Sequence, residues 1–524
     1  MTVNLLFNNY QAITTKKIPF SIIIWGPEIY LGGFCLIILF IIAVAHFRPK
    51  TLFNHKFYTY RLLDYAFVAL LTVVILYSTL LLWVLCASRI PFVNSANLNI
   101  YTLVMKLLVL MTALFIFKNS KTYIIQHFRP YMEYSFFIMI TILFLVMLIS
   151  SKSLILLFIC IIGFSLNLYI LLMHDSPYRK SLEASVKYFY LSALSTGLIA
   201  NGLVIAYIWL SWNQFWTIAL VLSRNIHYLQ SNKSLFIMML CSIIFGFLFK
   251  LAAFPCHLWA PEIYEGSPDP ITAFLILPVK IATLAIFIKL LCVTFKDAYF
   301  IWSPLIWLSS ACSMIWGCLG AYNEEKIKKF LAYTSINQMG FLFLGIICCT
   351  NQSIRATIIY LVIYIAMNWG FLQIYLSTTN ALTSKSIKYF TELKYFAQYN
   401  WNISIGFIFI LFSMAGIPPL AGFFGKYFLF LTTFQAEYIG LVCIGMLTSL
   451  VSAFYYLRVM KILLFDELRV HRMNINSLKL INSMPLTYKI VFSTTVLFLA
   501  LYLLVNQIIF NLAHEMLTAC LILY

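Results

Sequence analysis

The sequence predicts an all-α integral membrane protein of about fourteen transmembrane helices, and three observations carry that prediction. Of the 524 residues, 63% are hydrophobic and only 10% charged, far from the composition of a soluble globular domain. Apolar stretches of roughly 20 residues, enough to cross a bilayer as a helix, recur along the whole chain with short polar joints between them. The runs are continuous, as in 134–149 and 401–416, rather than alternating. In lipid every backbone polar group must be satisfied internally, so continuity selects a helix bundle over a closed barrel. The 47 Phe and 33 Tyr residues suit lipid contact and interfacial belts.

Taken in order, spans are predicted at 20–45, 64–87, 100–117, 134–150, 153–173, 184–210, 234–266, 270–294, 301–321, 330–350, 354–379, 401–435, 437–463 and 486–512. The first is expected to be retained, because the start of the chain lacks the basic, apolar and small-residue sections of a cleavable signal. Lys and Arg in the odd-numbered joints outnumber those in the even joints and termini by roughly two to one, which places both termini away from the cytoplasm or matrix. Two spans are interrupted, 234–266 by Pro255 and Pro261 and 401–435 by Pro418 and Pro419. The two breaks lie five helices apart, and matched broken helices in two units of opposite topology mark secondary transporters. The expected organisation is therefore three N-terminal helices (1–133), a first five-helix repeat (134–295), a second, inverted repeat (296–465) and a C-terminal helix (466–524).

Charges inside the spans point to function. A lysine at the centre of a membrane helix costs about 2.5–3.5 kcal/mol on insertion scales, so each needs a compensating reason. Lys250 ends the run SIIFGFLFK just before the Pro255 break, Lys280 follows Pro278, and Lys426 follows GIPPLAGFFG. Lys187 lies in the sixth span one turn after Glu183, a spacing that predicts an ion pair. Desolvation disfavours an ammonium, so a lysine in an apolar site can exchange a proton near neutral pH, and a nearby carboxylate tunes which site is charged. These residues mark a proton or cation pathway. The alternative for any one of them is a lysine that only binds a helix end or backbone carbonyls. His257, beside Pro255, either relays protons or hydrogen-bonds the broken backbone. Lys106 and Lys289 are expected to be structural or interfacial, and Glu28 to sit at a helix N-terminus favoured by the dipole.

Other classes fall away. The net charge of +19 resides mostly between apolar runs, as the positive-inside rule requires, so no nucleic-acid partner is expected. The twelve cysteines are scattered among apolar residues with no CxxC pair and no Cys/His metal spacing. There is no GxGxxG after a strand and no cluster-type cysteine run, so no metal, flavin, nicotinamide or iron–sulfur cofactor is expected.

The segments FKLAAFPCHLWAPEIYEGSPDPITAF (249–274), LEASVKYFYLSALSTGL (182–198), KIKKFLAYTSINQMGFLFLG (326–345) and MAGIPPLAGFFGKYFLF (414–430) occur in this order. Together they resemble the antiporter-like membrane subunits of respiratory complex I, and among those NADH dehydrogenase subunit 2, over most of the chain. The EAxxKY segment and the lysine after GIPPLAGFFG carry the narrower likeness. The resemblance implies a core membrane-arm subunit of proton-pumping NADH:ubiquinone oxidoreductase with no redox centre of its own. It implies central proton-channel roles for Lys187, Lys250, Lys280 and Lys426, with Lys426 on the exit side. The partners implied are other membrane-arm subunits and membrane lipids. With the Phe-, Ile-, Tyr- and Asn-rich composition, it implies the inner mitochondrial membrane and termini on the intermembrane-space side. A subunit of a multi-subunit cation/proton antiporter, and a complex I subunit with impaired pumping, are the alternative readings.

This chain departs from the family at two places. The fifth helix usually carries a glutamate three residues before the serine of S-L-x-x-Y; here SLNLY stands at 165–169 and the position is Ile162. Either Glu183 takes over as the acidic partner of Lys187, or the channel works with altered coupling, or it no longer pumps. In the tenth helix, where a histidine is common, Gln338 stands, and an amide holds hydrogen bonds but carries no proton charge.

Overall fold

The computed structural model describes residues 18–47, 55–87, 99–126, 133–174, 179–210, 213–224, 233–378, 387–393, 397, 401–465 and 486–521. Several basic residues used in the orientation count, among them Arg48, Arg129, Lys385, Arg469, Arg472 and Lys479, lie outside them. The described chain is helical from end to end. The first half comprises α1 (Ile18–Phe47), α2 (His55–Ala87), α3 (Ile100–Gln126), α4 (Glu133–Ser150), α5 (Leu154–Met173), α6 (Arg179–Leu210), the short α7 (Phe215–Arg224), α8 (Lys233–Leu251) and α9 (Trp259–Gly266). There follow α10 (Asp269–Ile276), α11 (Pro278–Lys289), α12 (Tyr299–Asn323), α13 (Ile327–Cys348) and α14 (Asn351–Ser377). The last are α15 (Trp401–Ala415), α16 (Ala421–Gln435), α17 (Ile439–Leu464), α18 (Leu486–Ala500) and α19 (Tyr502–Leu521).

Among the described residues 12 helices are long and apolar enough to span a membrane, or 13 if the bent pair α18–α19 counts as one span. The remaining predicted span, 401–435, is the pair α15 and α16, 15 residues each and too short to cross singly. The pair α18–α19 turns by 86° about Leu501, a bend the sequence does not announce, since neither Pro nor Gly stands there. The segment 269–294 also differs from the continuous helix expected of it. Pro278 lacks an N–H and cannot continue α10, so the chain breaks at Leu277 and restarts as α11, with Lys280 in the first turn.

Burial ranks the helices. In the most apolar 18 residues of each span, all are buried inside the chain in 269–294 and 94% in 327–348, against 28% in 61–82 and 179–209. So α10–α11 and α13 form the centre, with α14 beside them and α2 and α6 at the periphery. Small residues let the central helices meet closely. A Cβ on Gly317 of α12 would stand 2.6 Å from the Asn337 backbone nitrogen of α13, and one on Gly345 of α13 would stand 2.1 Å from Thr357 of α14.

Candidate functional site

At the first break α8 ends on Lys250 and Leu251, and the chain crosses Ala252 at φ 56° before the Pro255 segment. An interrupted helix in a membrane leaves carbonyls without intrahelical donors. Here Ala252 and Ala253 donate backbone N–H groups to the Phe249 and Leu248 carbonyls at 3.1 and 2.9 Å, and the Trp259 indole N–H donates to the Phe249 carbonyl at 3.0 Å. Lys250 is 7% exposed; its Nζ lies 5.4 Å from the Phe164 ring centroid and has no hydrogen-bond partner among the described residues. It lines a cavity of about 20 Å³ with Phe164, Tyr188, Ser192, Ser195 and Trp259, enough for one water molecule. Phe164 sits two residues from Ile162 on α5, so α5 offers Lys250 an aromatic face and no acid.

The second break is built the same way with the lysine on its far side. Gly416 takes φ +86°, a left-handed conformation that favours glycine, and its N–H donates to the Phe412 carbonyl at 3.0 Å. The last carbonyls of α15, on Met414 and Ala415, accept hydrogen bonds from Lys426 Nζ of α16 at 3.3 and 3.1 Å. An ammonium at a helix C-terminus is favoured by the dipole as well as by the orphan carbonyls. Lys426 also lies 5.0 Å from the Phe341 ring centroid and lines a groove of about 420 Å³ between α16 and α17, with Tyr427, Phe430, Phe434 and Met446. Lys426 therefore binds carbonyls at a helix end, a contact compatible with either reading open for a buried lysine.

Between the breaks stands Lys280, 1% exposed, donating from Nζ to Ser335 Oγ at 2.8 Å with the Tyr264 ring centroid 6.0 Å away. Carbonyls freed at the Leu277 break are taken by tyrosines: Tyr264 donates to Leu275 at 3.5 Å and Tyr364 to Ile276 at 3.0 Å. Successive turns of α13 then lead from Lys280 towards Lys426. Ser335 receives Lys280, Gln338 accepts from the Tyr360 hydroxyl, and Phe341 faces Lys426. On the same stretch Asn337 donates from Nδ2 to the Tyr455 hydroxyl at 3.3 Å. All these polar groups are buried. Among the described residues none of Lys250, Lys280 and Lys426 has a carboxylate within ion-pair distance.

Lys187 requires a correction. The sequence placed it with the lysines buried at mid-membrane, but near the start of α6 its side chain is 41% exposed, outside the packed centre. The predicted pair with Glu183 forms at 2.8 Å, and a second carboxylate, Glu262 of α9, approaches to 2.7 Å. Glu262 escaped the sequence reading because it lies 75 residues away, beyond the break. His257 is 5% exposed, stacked on Phe254 at 5.7 Å and beside Trp316 at 6.3 Å, and its Nδ1 has no partner among the described residues.

Two further expectations change. Glu28 is not at a helix N-terminus but ten residues inside α1, 2% exposed and paired with Lys106 at 2.5 Å. Lys106 is 6% exposed and does not snorkel, and Lys289, 9% exposed, donates to the Ser151 carbonyl at 2.5 Å. The basic triplet of KIKK, read only as orientation charge, is paired with the acids of YEGSPD. Glu265 meets Lys326 at 2.7 Å, Lys180 at 3.0 Å and Lys329 at 3.4 Å, while Lys328 meets Asp269 at 2.7 Å. The hydrogen bond that Lys326 donates to Glu265 holds its ammonium above its ordinary range. Because α9 follows the first break and α13 carries Ser335, this belt fixes the break against the helix that receives Lys280.

The family described as NADH:quinone oxidoreductase/Mrp antiporter, TM, matches residues 151–452, which contain both breaks and all three central lysines. NADH-quinone oxidoreductase subunit N of Parvibaculum lavamentivorans is 34% identical over 70% of this chain and 74% of its own length. The subunit N of Granulibacter bethesdensis is 30% identical over 84% of this chain and 89% of its own. A chain of respiratory complex I from Thermus thermophilus superposes with TM-score 0.70 at 22% identity, covering 92% of this chain and 98% of that one. A chain of the Mrp complex from Dietzia sp. superposes with TM-score 0.75 at 15% identity, covering 94% of this chain and 96% of that one, so the fold is common to both kinds of assembly. The chain belongs to the NADH:quinone oxidoreductase/Mrp antiporter family of multi-pass membrane subunits. Within it, the chain is an antiporter-like membrane subunit of the complex I type.

Proposed function

We propose that the chain works as subunit 2 of a proton-pumping NADH:ubiquinone oxidoreductase in the inner mitochondrial membrane, with both termini on the intermembrane-space side. Redox energy from other subunits drives protons through its buried lysines. The observation that carries this reading is the set Lys250, Lys280 and Lys426. Three ammonium-bearing side chains sit in the packed interior, each beside a helix break, with no carboxylate within ion-pair distance among the described residues. Buried cations at this cost are retained where charge has to move. On this reading the chain comprises an N-terminal unit, two repeats of opposite topology and a C-terminal segment holding α18 and α19, with α8–α9 and α15–α16 as equivalent elements.

Lys187, flanked by Glu183 and Glu262, exchanges protons with the outside of the bundle, and Tyr188, the next residue, lines the cavity of Lys250. Glu183 and Glu262 take the acidic role left vacant at Ile162. His257, buried beside Pro255 against Phe254 and Trp316, either relays protons or hydrogen-bonds the broken backbone. From Lys280 the path follows α13 through Ser335 and the Gln338–Tyr360 contact to Lys426, the exit lysine. Gln338 carries no proton charge, so the phenol of Tyr360 supplies the exchangeable proton at that step.

Replacing Tyr360 with Phe removes one hydroxyl and leaves the ring. It is expected to lower the number of protons moved per NADH oxidised severalfold while the assembled oxidoreductase accumulates normally. Tyr364→Phe, which removes a hydroxyl committed to the Ile276 carbonyl, is the control and is expected to leave that ratio unchanged. Equal behaviour of the two variants would remove Tyr360 from the path.

The assembly itself is tested by a native gel of detergent-solubilised host membranes, stained for NADH oxidation and probed for this chain by mass spectrometry. Co-migration with a very large NADH-oxidising complex is expected. Migration in a small complex without that activity would instead support the cation/proton antiporter.

A further inference from the structure

Glu28, Tyr77 and Lys106 come from α1, α2 and α3, and all three precede residue 151, where the family match begins. The Glu28 Oε1 to Lys106 Nζ distance is 2.5 Å, with side chains 1% and 7% exposed. Lys106 Nζ lies 5.4 Å from the Tyr77 ring centroid. The second carboxylate oxygen, Glu28 Oε2, and the Tyr77 hydroxyl are both buried without an aligned hydrogen bond among the described residues. The Glu28 carboxylate thus faces both Lys106 and the Tyr77 hydroxyl, and its Oε2 accepts no aligned hydrogen bond among the described residues.

A packing role alone accounts poorly for it. Burying two charges costs more than burying apolar side chains of the same volume, and replacing such a pair by apolar residues is often neutral or stabilising. Position adds to this. Glu28 stands ten residues inside α1 and Lys106 six residues inside α3, so the pair joins two helices within the apolar part of the bundle. On its other side α3 packs against α11, the helix of Lys280, and the Tyr101 hydroxyl donates to the Ala285 carbonyl of α11 at 2.8 Å. A change of charge on α3 is thus delivered to the helix that carries the central lysine.

We propose that Glu28 and Lys106 form a second proton-binding site, in the N-terminal three-helix unit, that works in step with the lysine path. On loading, Glu28 Oε2 takes one proton and an O–H bond forms, so the neutral pair becomes a single positive charge. On unloading, that O–H bond breaks, the proton returns to water and the ion pair is restored. The inference rests on the reading of the chain as a proton-translocating subunit.

The test uses the assembled oxidoreductase in sealed vesicles, with the native gel as the measure of assembly and protons moved per NADH oxidised as the measure of pumping. Glu28→Met and Lys106→Met, made singly, each orphan a buried charge and are expected to reduce the assembled complex. The double variant, with neither charge left, is expected to restore assembly but to pump at about half the original ratio or less. A double variant that assembles and pumps as the original does would overturn the proposal and leave the pair a structural tie between α1 and α3. So would loss of assembly in the double variant with full activity per assembled complex. An original complex that oxidises NADH without moving protons would overturn the broader reading and this one with it.

Discussion

Replacing Lys280 with Met is expected to leave the oxidoreductase assembled and to reduce NADH-driven proton movement by more than about tenfold, because the substitution removes only a buried charge. Met has nearly the length of Lys and needs no hydrogen bond, so the packing of α11 against α3, α4 and α8 is kept. The hydroxyl of Ser335 loses its donor but still donates to the Ala332 carbonyl at 2.7 Å. The informative companion is Lys280→Arg. Guanidinium keeps the positive charge but does not deprotonate in proteins, so it can serve as a fixed cation and not as a proton carrier. Pumping lost in both variants supports proton exchange at Lys280. Pumping kept in the Arg variant would mean that a fixed positive charge suffices, and the carrier role of Lys280 would be withdrawn.

The features legible in the sequence are those in which one residue breaks a local rule. Paired prolines in an apolar run interrupt a helix where the single Pro27 of α1 and Pro304 of α12 do not, so the breaks near Pro255 and Pro418 could be read without partners. Lysine in an apolar run is costly in any bundle, so Lys250, Lys280 and Lys426 could be read as well, and all three are buried. Depth and pairing between helices were not legible, since both depend on which helices become neighbours. Lys187 and Lys106 look alike as single lysines in apolar stretches, yet Lys187 faces outwards and Lys106 is enclosed. Their partners, Glu262 and Glu28, lie 75 and 78 residues away in sequence. The 86° turn at Leu501 left no mark because no breaker residue makes it.

The tyrosines extend this point. Tyr264, Tyr360, Tyr364 and Tyr455 have nothing in the sequence that sets them apart from the other tyrosines, yet each is at most 1% exposed. A buried phenol still has to place its hydroxyl, and here two of the four satisfy carbonyls left by Pro278 while the others contact Gln338 and Asn337. A proline in one helix thus explains hydroxyl groups on two others. Such compensation in lipid follows from the lack of water to take up freed backbone groups.

The second large effect is expected from a methyl group. Gly422 lies in the first turn of α16, and a Cβ there would stand 1.7 Å from the Ser413 carbonyl oxygen of α15, with Ser413 Oγ also 3.2 Å away. Neither contact can be relieved by a flexible side chain, because the nearer atom is backbone. Gly422→Ala must therefore push α16 away from α15. Overpacking of this kind usually costs about 1–3 kcal/mol, and the upper end is expected where backbone meets backbone. Displacement of α16 also carries Lys426 away from the Met414 and Ala415 carbonyls, leaving the ammonium and the end of α15 unsatisfied together. The expected result is strongly reduced accumulation of the assembled complex on a native gel, with the remaining complex unstable in detergent at temperatures the original survives. Gly440, whose added Cβ would meet nothing closer than Trp307 at 4.0 Å, is the matched control, and Gly440→Ala is expected to accumulate normally. Equal accumulation of the two variants would show that α15 and α16 can separate freely, and the fixed geometry of Lys426 at the second break would have to be abandoned.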